Sequence, residues 1–164
     1  MPHTDISQKE VQPQPILFIR RRAARAELPS LFAECFGKLF GHCMQAGHAI
    51  AGNPMARYVE TGQGLLTVDS IVPLLAPVSG ATSEEGEMEA GELQGGMVAF
   101  TVHSGPYDKL VDVYPEIERW MEANGVRPNG APWEWYVTDP AAHPDPSDWK
   151  TEIFWPIAPV TDRD

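Results

Sequence analysis

Two stretches of this chain, Pro54-Met-Ala-Arg-Tyr58-Val59 and Pro132-Trp-Glu-Trp-Tyr136-Val137, match in register. Each is preceded by a short apolar run and then a helix-spaced apolar stretch, and each is followed by a further strand-like run. Ile19 stands as far before Tyr58, to within one residue, as Val98 stands before Tyr136. Asp69 precedes Pro73 by the same interval as Glu152 precedes Pro156. A fixed order repeated at a fixed spacing is the signature of a duplicated structural unit. The spacing therefore predicts an α+β fold: two strand–helix–strand–strand modules forming antiparallel sheets, two helices packed on one face, and a central ligand groove. A pseudo-symmetric pair of modules leaves a cleft of the kind in which small molecules bind.

The periodicities place the elements. Ile16–Arg20 reads as a strand. The stretch from Leu28 to about Ile50 carries Leu31, Phe32, Cys35, Phe36, Leu39, Phe40 and Cys43 at helical spacing, a stripe suited to packing on a sheet. Gly47 and Gly52–Asn53 supply stop signals. Met55–Glu60 and Leu66–Leu75 read as strands joined by a turn at residues 61–64. Met97–His103 is the next strand, with Val98, Phe100 and Val102 on one face. A helix follows, opened by S-G-P-Y-D and closed by Asn124–Gly125, with Tyr107, Leu110, Tyr114, Ile117 and Met121 on one stripe. Pro115 lies inside that stripe and should kink the helix or restart it, because it lacks a backbone donor and crowds the preceding turn. The expected boundaries are a disordered tail at 1–14, module one at 15–76, an acidic linker at 77–94 and module two at 95–159, the modules forming one domain over 15–159.

The last two strands carry the most chemistry. In A-P-W-E-W-Y-V-T-D-P, alternation sets Trp133, Trp135 and Val137 on one face and Glu134 and Tyr136 on the other. In T-E-I-F-W-P-I, Ile153, Trp155 and Ile157 share a face opposite Glu152 and Phe154. Paired apolar face to apolar face, these strands would set Glu134 and Glu152 together among aromatic rings, as the floor of a binding site. The plain alternative is that both carboxylates lie on the wet face of an antiparallel sheet.

Composition narrows the function. A chain of 164 residues that is 43% hydrophobic can bury a core. No apolar run is long enough to cross a membrane and no signal-peptide layout is present, so a cytoplasmic protein is expected. A net charge of −11 argues against direct nucleic-acid binding. Part of that charge, Glu84, Glu85, Glu87, Glu89 and Glu92, falls in one Gly- and Ser-containing run read as solvated linker. Cys35 and Cys43 stand about 12 Å apart on a helix rising ~1.5 Å per residue, too far to bridge. His42, Cys43 and His48 match no metal-ligand spacing. No metal or other cofactor is expected.

The motifs V-A-F-T-V-H-S-G-P-Y-D-K-L, Trp120 with Asn124–Gly125, P-W-E-W-Y-V-T-D-P and T-E-I-F-W-P-I together resemble the DNA gyrase inhibitor-like family. Its domain also serves as the effector-binding module of AraC-type and multidrug-sensing transcription regulators. The resemblance spans roughly residues 14–159. It implies a groove for lipophilic, often cationic, small molecules, with a signature acid that maps by position to Glu134; Tyr136 and Glu152 match the motif positions beside it. It further implies three readings. The first is a stand-alone binding domain acting as a sensor or sequestering protein. The second is a hydrolase of strained, cyclopropane-bearing or similar electrophiles, working through Glu134 and Tyr136. The third is a module that binds a protein, either DNA gyrase or a separate regulator chain.

The candidate ligand-binding residues are Glu134, Tyr136, Glu152, Phe154, Tyr58 and His103. Tyr58 and Tyr136 occupy matching repeat positions and offer ring faces that suit a cation. Ala56 stands where the second module has Glu134, so the modules differ where chemistry could reside. His103, beside Gly105–Pro106, has a structural alternative as a hydrogen-bonded turn residue. No Ser-His-Asp or Cys-His layout is present, so binding is favoured over catalysis.

Overall fold

A computed structural model describes residues 5–62, 65–78, 88–138 and 142–160. In chain order the first elements are β1 (Ser7–Val11), β2 (Gln14–Ala24), α1 (Leu28–Ala46), β3 (Met55–Gly62), β4 (Leu65–Pro73) and β5 (Met88–Leu93). The remainder are β6 (Gly96–Ser104), a 3₁₀ turn (Tyr107–Asp112), α2 (Val113–Ala123), β7 (Val126–Pro128), β8 (Trp133–Tyr136) and β9 (Lys150–Pro159). Among the described residues the strand pairings within each unit are antiparallel, and the chain divides into two units. No helix among the described residues is long and apolar enough to cross a membrane.

One unit, Pro13–Gln94, carries a sheet in the order β3-β4-β2-β5, with α1 packed on one face. Helix α1 begins with a proline in its first turn, where the missing N–H has no intrahelical partner to lose, and ends at Gly47 in the left-handed region (φ 76°). Its stripe of Cys35, Leu39 and Cys43 packs on Leu17, Ile19, Val72 and Leu74. Both cysteines are free thiols, and burial pushes both above the ordinary thiol value, so they serve as small apolar side chains.

The opposite face of that sheet holds a charged cluster. Alternation brings Arg20, Arg57 and Asp69 side by side, since Asp69 faces Arg20 on β2 and Arg57 on β3. Asp69 is wholly buried and accepts from Arg20 at 2.7 and 3.0 Å and from Arg57 at 2.9 Å. Both guanidinium groups also lie over the Phe18 ring, at 5.7 and 5.3 Å. Gly91 leaves room for that ring: a Cβ there would stand 3.0 Å from it.

The other unit comprises residues 1–12 and 95–164. Its sheet runs β8-β9-β6-β1, with β7 paired to the far end of β9. Helix α2 lays Val113, Ile117 and Met121 against Ala99, Ile153 and Ile157. Pro115 occupies the first turn of α2, directly after the 3₁₀ turn. The first N–H groups of a helix have no intrahelical acceptor, so proline costs no bond there. It restarts the helix rather than kinking it.

The two units share one topology, as the repeat predicts, though not quite in the predicted alignment. Ile16, not Ile19, stands opposite Pro73 as Val98 stands opposite Pro156. Three expectations need correction. The polar segment within 1–14 is not featureless: Ser7–Val11 is the edge strand β1, its side chains mostly exposed, with the Lys9 ammonium 3.7 Å from the Phe100 ring centroid. Part of the supposed linker at 77–94 is β5, which brings Glu89 opposite Phe18. Glu84, Glu85 and Glu87 lie outside the described residues.

The third correction concerns faces. Strand β8 registers on β9 with Trp133 opposite Phe154, Glu134 opposite Ile153 and Trp135 opposite Glu152. Cross-strand partners share a face. Glu134 and Tyr136 therefore lie on the helix-covered face with Ile153, whereas Glu152 and Phe154 join Trp133 and Trp135 on the other. The observed register keeps two carboxylates off one face and stacks Trp133 on Phe154 at 5.6 Å and 14°.

Removing Asp69 tests the charged cluster. Asp69→Ala deletes the shared acceptor and is expected to cost about 2–3 kcal/mol, the scale of hydrogen bonds to charged groups. Arg20→Ala should cost less, because the Arg20 side chain is 46% exposed against 17% for Arg57. Chemical denaturation that ranks Arg20→Ala as the more damaging change would contradict this assignment.

Candidate functional site

Glu134 is 2% exposed, unusual for an acidic residue, and its surroundings explain how it is accommodated. Strand alternation turns it under α2 beside Tyr136, two residues along the same face. The Tyr136 hydroxyl donates to Glu134 Oε1 at 2.7 Å. From above, the Tyr114 hydroxyl on α2 donates to Oε2 at 2.6 Å. Both carboxyl oxygens thus accept, an arrangement that favours the carboxylate while burial opposes it. The Tyr114 ring meets Trp155 edge to face at 5.6 Å, and Tyr136 meets Tyr107 likewise at 5.2 Å. Tyr107 in turn packs on Trp149 at 4.8 Å. An acid bonded to two tyrosines, with three further aromatic rings packed behind them, can hold a greasy cation by charge and by ring faces together.

His103 lies on the same face. It is wholly buried, and its Nε2 is 3.1 Å from the Pro106 carbonyl oxygen. It therefore joins the helix-covered cluster and also ties down the turn that leads to Tyr107.

The structure thus groups three of the six sequence-predicted residues, Glu134, Tyr136 and His103. Glu152 and Phe154 are on the other face of the same sheet, where Phe154 meets Phe100 at 5.1 Å and Trp133. Tyr58 is on β3 of the other unit, opposite Val68. Sequence reasoning missed Tyr114 and Thr151 as site residues. Tyr114 was visible on the helical stripe, but only the registry of α2 over β8 reveals its bond to Glu134. Thr151 faces both Tyr136 and His103 across neighbouring strands, a relation that no single segment contains. Among the described residues no three His, Cys, Asp or Glu side chains converge as metal ligands.

A family model for the GyrI-like small molecule binding domain matches residues 4–158. The chain belongs to that family. No curated protein matches it by sequence. Among solved structures, the C-terminal domain of EcmrR is 20% identical with a TM-score of 0.78, over 95% of this chain and 98% of that domain. EcmrR in its DNA complex gives a TM-score of 0.81 at 20% identity; the match covers 98% of this chain but 59% of the EcmrR chain. SAV2435, solved with tetraphenylphosphonium, is 10% identical with a TM-score of 0.65 over 94% of each chain. A hydrolase encoded by lin2189 of Listeria innocua is 13% identical with a TM-score of 0.64, over 93% of this chain and 91% of that one. At these identities the likeness is one of fold.

In this GyrI-like domain the acid is held by two tyrosyl donors from two different elements. Tyr114→Phe and Tyr136→Phe are each expected to lose about 1–3 kcal/mol of stability, because each removes a donor to a buried carboxyl group. Tyr114→Phe should additionally loosen α2, read as faster amide exchange over Val113–Ala123. A loss under about 0.5 kcal/mol for both variants in urea titration would mean that the hydroxyls do not support the acid.

Proposed function

We propose that this GyrI-like domain binds lipophilic cations beneath α2, with Glu134 as counter-charge, and acts as a sensor or sequestering module. The observation that carries this reading is the buried Glu134 carboxyl, held by Tyr114 and Tyr136 at 2.6 and 2.7 Å within an aromatic surround. Such a site discriminates by charge: a cation gains from the acid and the rings together, whereas a neutral molecule of the same shape gains from the rings alone. The ligand named for SAV2435, a domain of the same fold, is a cation of that kind. The net charge of −11 favours a cationic small molecule over nucleic acid as the direct partner. Any transcriptional role would then run through another segment or another chain, and a protein partner would be a second layer.

A hydrolytic reading has one observation in its favour, the direct bond between Tyr136 and Glu134. Glu134 would take a proton from the attacking water, and Tyr136 would protonate the opening ring.

Calorimetry on one lipophilic cation and its neutral isostere separates these possibilities. Glu134→Gln should weaken the cation by roughly tenfold or more, matching ~1.5–3 kcal/mol for a charge-assisted contact. The neutral isostere should change little. Equal small changes for both ligands would remove Glu134 from the site. Loss of turnover of a strained-ring electrophile with binding retained would favour the hydrolase.

A further inference from the structure

The helix-covered face of the β8-β9-β6 sheet carries a second polar element next to the carboxyl. Tyr136, Thr151 and His103 form one row across β8, β9 and β6, because Tyr136 stands opposite Thr151 and Thr151 opposite His103. Glu134 stands in the adjacent row with Ile153 and Thr101. Thr151 and His103 are both wholly buried. Directly opposed residues of antiparallel strands hold their Cβ atoms about 5 Å apart, so the two side chains are immediate neighbours.

The hydrogen bonding of this pair is incomplete in a specific way. The Pro106 carbonyl can only accept, so His103 Nε2 carries the proton and donates to it at 3.1 Å. In the neutral ring, Nδ1 is then an acceptor. Among the described residues, neither His103 Nδ1 nor Thr151 Oγ1 has a hydrogen-bond partner. Buried polar atoms of native proteins are rarely left so, and here two of them stand side by side. Nδ1 requires a donor. The threonine hydroxyl can donate or accept. A single group that donates to Nδ1 and accepts from the threonine hydroxyl satisfies both, which is the chemistry of an alcohol.

We propose that His103 and Thr151 form a hydrogen-bonding subsite that selects, among lipophilic cations, those bearing a hydroxyl group. The ligand hydroxyl donates to His103 Nδ1 and accepts from Thr151 Oγ1 while the positive charge lies against Glu134. This rests on the cation reading of Glu134. Along a strand, residues two apart are separated by ~6.8 Å, and adjacent strands by ~4.8 Å, so Thr151 lies roughly 8 Å diagonally from Glu134. The ligand must therefore carry its hydroxyl several bonds from its charge. A hydroxyl next to the charge would not reach.

The test uses two salts matched in size, (4-hydroxybutyl)triphenylphosphonium and pentyltriphenylphosphonium, titrated into the full chain. The hydroxylated cation should bind about tenfold tighter or more, since a site built around a hydroxyl rejects the analogue that lacks it. His103→Phe with Thr151→Val should bring the ratio of the two affinities to about one. Because that double variant could fail to fold, the wild-type protein provides an independent readout. The 15N resonance of His103 Nδ1 should move upfield with the hydroxylated cation and stay in place with the pentyl one.

Equal affinities in the wild type would overturn the proposal and assign the pair to an internal water. A hydroxyl preference with an unmoved Nδ1 resonance would overturn it as well. If the preference appears but Glu134→Gln leaves both affinities intact, the reading of Glu134 fails and the subsite stands. If neither salt binds, both fail together.

Discussion

The pairing of β8 with β9 decides what kind of molecule this is. Shifting the register by one residue would turn every side chain of β8 to the other face. Glu134 would then share a face with Glu152, and the two tryptophans would lie under α2. In the observed register, Trp133 stacks on Phe154, Glu134 turns under the helix, and Tyr114 and Tyr136 converge on it. A short four-residue strand fixes the position of the only described acidic side chain buried under α2. The aromatic stack and the two tyrosyl hydrogen bonds favour the same register from opposite faces, and agreement of that kind is what makes a pairing unique.

The two units use the same topology for different ends. The unit of α1 keeps its helix-covered face free of charge, with Leu17, Ile19, Cys35 and Leu39 at its centre and Ser70 as a buried hydroxyl among them, and places its charges on the other face as the Asp69 cluster. The unit of α2 does the reverse. Glu134, Thr151 and His103 lie beneath its helix, while its other face carries the buried Trp133–Phe154 stack. Ala56 and Glu134 occupy matching positions on β3 and β8, so the exchange of a methyl group for a carboxyl separates a structural layer from a polar one. Duplication supplied the frame, and divergence at a few inward positions set a polar cluster beneath one helix.

The sequence made these features legible to different degrees. Periodicity located both helices and most strands because apolar stripes dictate burial directly. It also singled out Glu134 by its contrast with Ala56. It could not set the register of β8 on β9, since both strands alternate cleanly and the connection between them is too long for a tight turn to fix the pairing. Polar composition misled it at β1, whose S-Q-K-E-V sequence suits an exposed edge and is stabilised by backbone pairing and by Lys9 over Phe100. The same holds for β5, where Glu89 and Glu92 hid a strand behind charge. The 42-residue interval from Ile16 to Tyr58 also escaped, because Ile19 offered a closer numerical match to the second module.

One feature of the connectivity reaches beyond the site. Strand β1 leads directly into β2 yet pairs with β6, and β5 leads directly into β6 yet pairs with β2. The Pro13–Gln94 unit is one continuous segment, whereas the other is assembled from chain on both sides of it, β1 from ahead and β6 to β9 from behind. No single cut of the polypeptide releases a whole unit: a break near residue 94 strands β1 on the wrong fragment. During synthesis, β1 must wait for β6 to emerge before its edge can close, so completion of the α2 unit depends on nearly the entire chain. The α2 unit therefore depends on chain from both sides of Pro13–Gln94, and a polypeptide beginning after β1 would leave the edge of β6 unpaired.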